Sequence, residues 1–218
     1  MGVLKGGVFG GFSGRVNNLV GYESNGQFII RGRPKKRTSP PTEGELINRK
    51  KFEMVQAWLG PLTTFVRTGF QHYKPTFEGF TAAKSHLMKN ALVGEKPNEV
   101  IDPSKVLLSY GTLAPPEMAT AELTAEGEIT ISWSTAKLDL LDRRSMYVIY
   151  IPGVQEISET AGPTYSKGEV KVTFPDSFKG KALVYLAFIR EDRKDRSNSV
   201  FLGEITIPKA KRVKAAKR

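Results

Sequence analysis

The chain has no cysteine among its 218 residues. That absence excludes a disulfide scaffold, a thiolate zinc site and a cysteine nucleophile together, and nothing indicates an oxidising compartment. Histidine is nearly as scarce. Only His72 and His86 occur, and their separation lacks the i, i+4 pairing of a helical zinc site. No run approaches the roughly 20 apolar residues of a membrane span. The opening MGVLKGGVFGG carries one lysine and no apolar run of the kind a secretory signal uses. It begins Met-Gly, but Gly6 stands where a myristoylation pattern needs Ser or Thr. These absences predict a non-secreted protein that avoids membranes, placed in the cytoplasm or in a virion-like particle. A hydrophobic content of 39% with 10% aromatics is enough to build a core, so wholesale disorder is excluded.

The positive charge is unevenly placed. Residues 1–51 hold ten Lys or Arg against three Glu, a net of +7. Residues 209–218 hold six Lys or Arg and no acid, a net of +6. The stretch between, 52–208, has 17 basic and 19 acidic residues and is nearly neutral. Basic ends on a neutral body are the pattern of arms that reach for phosphates or acidic surfaces.

Four segments follow from the local patterns. Residues 1–41 form a Gly-rich basic β arm, with nine of the 21 glycines in the first 32 positions. Ser24-Asn25-Gly26 separates two apolar stretches, and Asn-Gly tolerates the positive φ of a tight turn. The spacing predicts a β-hairpin of 15–23 and 27–32. Residues 42–105 are helical. Pro40-Pro41 precede Thr42 and Glu45 at capping-box spacing, and Ile47, Met54 and Trp58 then share one face with Val55 and Leu59 alongside. Gly60-Pro61 ends that helix. A second helix follows with Phe65, Val66 and Phe70, and a third over 79–92 with Phe80, Ala83, Leu87 and Ala91. These helices must pack on each other or on another subunit.

Residues 106–208 read as all β. Ile129, Ile131 and Trp133 alternate with Thr130 and Ser132, and the runs at 147–151, 170–174, 183–189 and 200–207 keep strand character. Residues 209–218 are a basic tail. The predicted fold class is α+β: a hairpin arm, a short helical segment and a C-terminal β-sandwich.

Enzymatic motifs are missing. The glycines at 6, 7, 10, 11 and 14 do not supply the i, i+2, i+5 set of a dinucleotide fingerprint, and no Walker Gly-Lys-Ser/Thr occurs. They suit tight turns or close backbone approach instead. No Gly-x-Ser-x-Gly elbow exists. Glu191, Asp192 and Asp195 lie in REDRKDRSN, interleaved with cations and lacking the glycine and terminal glutamate of a calcium loop, so the segment reads as a solvated loop. Asp139 and Asp142 make a carboxylate pair that nothing marks as catalytic. No enzyme, cofactor, metal or small-molecule substrate is expected.

Two resemblances add to this. EITISWS with Trp133, then MYVIYI, LVYLAFIRED and SNSVFLGEI, resemble the layout of a fibronectin type III or immunoglobulin-like sandwich over about half the chain. More closely, GGFSGRVNNLVGY, IIRGRPKK, PPTEGELINRKKF, KNALVG, SKVLLSYGTL and SNSVFLG, in that order, resemble an uncharacterised family of Bacteroidota proteins, a domain of unknown function. That resemblance implies no activity.

Binding remains. Arg31, Arg33, Lys35, Lys36 and Arg37 lie in an extended stretch with Pro34, and Lys209, Lys211, Arg212, Lys214, Lys217 and Arg218 fill the tail. Each run can neutralise phosphates and release counterions. No recognition helix or RNP-like motif accompanies them, so sequence-specific readout is not expected. Phe12, Val16, Val20, Tyr22, Phe28 and Ile30 are the candidate assembly residues of the arm. The expectation is a structural subunit of a homo-oligomer or larger assembly, virion-like or phage-derived, whose basic arms contact nucleic acid or neighbouring subunits. The alternative is a monomeric or dimeric accessory protein that binds nucleic acid without sequence preference. An adhesion or carbohydrate-binding module ranks below both, because the basic ends do not suit it.

Overall fold

The computed structural model describes residues 2–4, 10–24, 26–71, 73, 78–124, 127–136, 142–175 and 177–208. The chain divides into two compact units, Met1–Thr42 and Glu43–Arg218.

The first unit is one antiparallel sheet, β1 (Val3–Leu4), β2 (Phe12–Val16), β3 (Leu19–Ser24) and β4 (Gln27–Gly32), ordered β1-β2-β3-β4. The hairpin predicted around Gly26 is present as β3–β4, with Ser24 opposite Gln27 and Gly26 at φ 76°. Asn25 lies outside the described residues. The single strand predicted over 15–23 is corrected: the chain reverses at Asn17-Asn18, with Asn17 at φ 50°, and β2 pairs back onto β3. Asparagine tolerates that left-handed backbone, a second turn signal beside the Asn-Gly one. Two glycines make room for rings. A Cβ on Gly21 would run into Phe12, and one on Gly11 into Phe28.

The second unit opens with three helices, α1 (Glu43–Leu59), α2 (Thr63–Gly69) and α3 (Gly79–Asn90). A two-stranded ribbon follows, β5 (Leu92–Val93) with β6 (Val100–Ile101). Two larger antiparallel sheets complete it. One is ordered β10-β9-β12-β13, from β9 (Arg143–Ile151), β10 (Gln155–Glu159), β12 (Gly180–Arg190) and β13 (Val200–Ile207). The other is ordered β11-β8-β7, from β7 (Thr120–Leu123), β8 (Ile129–Ser132) and β11 (Glu169–Val172).

Side-chain alternation in β9 and β12 divides the interior in two, because successive residues of a strand face opposite ways. Met146, Val148, Tyr150, Leu183, Tyr185, Ala187 and Ile189 join one cluster with Val55, Leu59, Phe65, Val66, Phe70, Ala83 and Leu87 of the helices. Ile149, Ile151, Ala182, Val184, Leu186 and Phe188 join the other, with Ile129 and Ile131 of β8, Trp133 directly after it, and Val170 and Val172 of β11. A strand covered on both faces reads as an unbroken apolar run, as in the LVYLAFI of β12. The helices thus bury their apolar stripes against one face of the larger sheet. They need no second subunit for that, which narrows the expectation drawn from their sequence.

Hydrogen bonds tie helices to strands. The Tyr150 hydroxyl donates to the Trp58 carbonyl at 2.7 Å, with the two rings edge to face at 5.1 Å. The Tyr185 hydroxyl donates to the Pro103 carbonyl at 2.8 Å. Trp133 Nε1 donates to the Tyr165 carbonyl at 2.8 Å in the other cluster. Each satisfies a polar atom that would otherwise be costly to bury.

Candidate functional site

The candidate assembly residues fall on two faces of the N-terminal sheet. Register pairs Gly21 with Ile30, Glu23 with Phe28, Leu19 with Val16 and Gly21 with Gly14. Phe12, Val16, Leu19, Phe28 and Ile30 therefore share one face, with the exposed Glu23 beside Phe28. Val20 and Tyr22 share the other with Arg15, Ile29 and Arg31. The first face is poorly covered: Val16 is 48%, Leu19 47%, Phe28 49% and Ile30 56% exposed. Among the described residues of this unit only Gly21 is buried. Leu19 is an addition to the candidates that the sequence pattern suggests. Placing Val16 and Leu19 on separate strands requires the Asn17 turn, and that turn makes them neighbours.

The basic run leaves this sheet fully exposed. Arg31, Arg33, Lys35, Lys36 and Arg37 are all solvent-facing. Arg31 lies over the Tyr22 ring at 5.3 Å, a cation–π contact. Arg37 donates to the carbonyls of Ser39 and Pro40 at 2.9 and 3.1 Å, so it is partly held in its own loop. Among the described residues no carboxylate pairs with Arg33, Lys35 or Lys36. Lys209, Lys211, Arg212, Lys214, Lys217 and Arg218 lie outside the described residues.

The REDRKDRSN segment departs from the solvated loop expected of it. Residues 191–194 are exposed, but Arg196, Ser197 and Ser199 are buried. The buried half lies along residues 108–113. Ser109 Oγ donates to the Ser197 carbonyl at 2.8 Å, the amide of Leu108 donates to Ser199 Oγ at 2.8 Å, and that of Leu113 to the Arg196 carbonyl at 3.0 Å. Arg196 is 2% exposed. Its guanidinium donates to the carbonyls of Gln71, Arg193 and Lys194, while the neighbouring Asp195 carboxylate pairs with Arg190 at 2.9 Å. Burial pushes the Arg196 pKa down and Asp195 opposes that shift. The charge is stitched to backbone dipoles, which makes it a structural clamp.

Beside this clamp lies a cleft of about 310 Å³, lined by Gln71, Tyr73, Tyr110 and Arg196 among others. Tyr73 and Tyr110 meet edge to face at 5.0 Å, and Phe70 and His86 pack on the same aromatic group. Burial, helped by the Lys89 charge, holds the His86 imidazole below its ordinary pKa. A second groove of about 400 Å³ is apolar, lined by Met54, Trp58, Val100, Ile101 and Leu183 with the Lys181–Glu204 ion pair. Among the described residues neither brings together a nucleophile, a base and an orienting group. Asp142 pairs with Arg190 at 3.3 Å, whereas Asp139 and His72 lie outside the described residues. Among the described residues no group of three acidic or imidazole side chains forms a metal site, and no helix is long and apolar enough to cross a membrane.

No curated protein and no solved structure matches the chain. The pattern of a family of unknown function, DUF6266, matches residues 11–203, from the second strand of the N-terminal sheet to the middle of β13. That match takes in both units, and the chain belongs to the DUF6266 family of unknown function.

Proposed function

We propose that the protein is a non-enzymatic assembly subunit whose N-terminal sheet is the arm joining one copy to the next. The basic run after β4 then faces nucleic acid or an acidic neighbour. One observation carries the reading: Val16, Leu19, Phe28 and Ile30 form an apolar face about half exposed to water. Full burial of a large apolar side chain is worth about 1.5–3 kcal/mol. Covering four that are already half-buried therefore yields about 3–6 kcal/mol per face. Association alone costs about 4–15 kcal/mol, so this face favours docking and needs further contacts to complete it. In this reading the body is an immunoglobulin- or fibronectin-III-like sandwich scaffold. Trp133, directly after β8, and the core shared by the two larger sheets support that finer assignment.

The test is light scattering on a sizing column in low and high salt, on the full chain and on a chain lacking residues 1–40. A large species that persists in high salt, and is lost on deletion while the body stays folded, is expected. A virion-like particle gives a mass of many copies, with a high 260/280 absorbance ratio if nucleic acid is packaged. Normal assembly without residues 1–40 refutes the arm.

A second reading, an accessory protein that binds nucleic acid without sequence preference, is supported by the exposure of Arg33, Lys35 and Lys36 without carboxylate partners among the described residues. It predicts a small species that sheds nucleic acid as salt rises.

A further inference from the structure

Among the described residues the N-terminal sheet ends in two strands without an outer neighbour, of unequal length. β1 offers two residues, while β4 offers six, Gln27–Gly32. Natural edge strands are usually blunted by a charge, a proline or a bulge. Within β4 the residues Gln27-Phe28-Ile29-Ile30 carry none of these, and the cations and Pro34 begin only at Arg31.

The direction of the unpaired groups is fixed by one bond. The Arg33 amide donates to the Asn18 carbonyl at 2.7 Å, in register with the Val20↔Arg31 and Tyr22↔Ile29 pairs. In an antiparallel ladder, hydrogen-bonded and non-hydrogen-bonded pairs alternate. Gln27, Ile29, Arg31 and Arg33 therefore turn their backbone groups toward β3. Phe28, Ile30 and Gly32 turn theirs outward.

We propose that β4 pairs antiparallel with β4 of a second copy about a two-fold axis at Ile29, fusing two four-stranded sheets into one of eight. This rests on the assembly reading and names its partner and geometry. In that register Phe28 exchanges backbone hydrogen bonds with Ile30 of the second copy, Gln27 faces its Arg31, and Ile29 faces its Ile29. Phe28 and Ile30 already share the apolar face, so the two apolar faces merge into one continuous surface. A one-residue slip would set apolar positions against the opposite face and throw the outward groups out of phase. An axis at Arg31 would set two arginines opposite each other, which is unfavourable. An axis at Ile30 would set Phe28 against Gly32 and Ile29 against Arg31. A two-fold contact of this kind is self-complementary and closes on itself, so it makes the dimer, and a larger assembly is built from such dimers through a second contact.

Because the chain has no cysteine, Ile29→Cys reads the axis directly. Opposed residues of a non-hydrogen-bonded pair have Cα atoms about 4.5 Å apart, inside the ~4.4–6.8 Å that a disulfide spans. Mild oxidation of Ile29→Cys is expected to give a disulfide dimer of twice the 24.1 kDa chain, while Val20→Cys on β3 gives none. Ile30→Pro removes an outward N–H and leaves the β3 ladder intact. It is expected to weaken self-association at least tenfold with an unchanged circular dichroism spectrum, and Ile30→Lys is the second variant should the proline disturb folding. If the wild type assembles and deletion of residues 1–40 abolishes assembly, yet Ile29→Cys gives no disulfide dimer and the Ile30 variants assemble normally, β4 pairing is wrong and the arm reading stands. A wild type that stays a single copy at every concentration overturns both.

Discussion

The same substitution, glycine to alanine, should change stability in opposite directions at two helical positions. In a helix interior alanine is favoured over glycine by about 1 kcal/mol. Gly44 lies in the first turn of α1, and a Cβ there meets nothing within 4 Å. Gly44→Ala should therefore stabilise the protein by a few tenths to about 1 kcal/mol. Gly69 ends α2 against the 108–110 segment. A Cβ there would overlap the Leu108 carbonyl oxygen and press on Ser109 Cα. Both are backbone atoms, so neither can rotate away. The Gly69 carbonyl also accepts the Tyr110 amide at 3.0 Å and Ser109 Oγ at 3.4 Å, and moving the helix end stretches both bonds. Overpacking typically costs about 1–3 kcal/mol, and a weakened hydrogen bond up to about 1 more. These outweigh the propensity gain, so Gly69→Ala should destabilise by about 1–3 kcal/mol. The assay is equilibrium urea unfolding of both variants and the wild type, comparing midpoints at an unchanged m-value. A Gly69→Ala protein as stable as Gly44→Ala would refute the close crossing of α2 over the segment that ends at Tyr110.

Four further outcomes are expected. The folded-state pKa of His86 is depressed, so between that value and the ordinary value of about 6.5 the unfolded chain binds more protons. Stability should fall as pH drops through that window, and His86→Gln should flatten this part of the urea-midpoint profile; a steeper profile in the variant would contradict it. Tyr185→Phe removes the bond to the Pro103 carbonyl and should cost about 0.5–1.5 kcal/mol in the same assay; no loss would show that the carbonyl is satisfied otherwise. Replacing Arg31, Arg33, Lys35, Lys36 and Arg37 by alanine should lower the slope of log K against log salt for duplex DNA by about 0.9 for every phosphate no longer neutralised, and an unchanged slope would remove the run from the nucleic-acid reading. Arg196→Met should increase protease cleavage within 191–195, because it releases the carbonyls of Arg193 and Lys194; an unchanged cleavage rate would deny the clamp.

Periodicity exposes the elements whose two faces differ or are both apolar. The β12 run LVYLAFI and the helix from Ile47 to Leu59 are legible because their burial follows a period of two or of about 3.6. β7 and β10 are not. Thr120–Leu123 is half-exposed with a single large apolar residue, and Gln155–Glu159 has only Ile157; both are recruited as edge strands by neighbours already in place. The N-terminal arm is legible in kind, but its apolar residues look like one group in the sequence. The Asn17 turn separates Val20 and Tyr22 from Val16, and the β3–β4 register, which sets Ile30 against Gly21 and Phe28 against Glu23, separates them from Phe28 and Ile30.

Charge misleads most. REDRKDRSN looks solvated because six of the seven residues after Arg190 are charged, and that argument holds for residues 191–194, which are exposed. It fails at Arg196 because backbone carbonyls can replace water for the terminal nitrogens of a guanidinium, although its Nε is buried without a partner. Three backbone carbonyls supply acceptors for the guanidinium, and the serines on either side of Asn198 bond to the 108–109 segment. Composition ranks a segment by what its side chains would cost to bury alone. Here the backbone that folds against it already provides the partners, so a basic loop becomes part of the core.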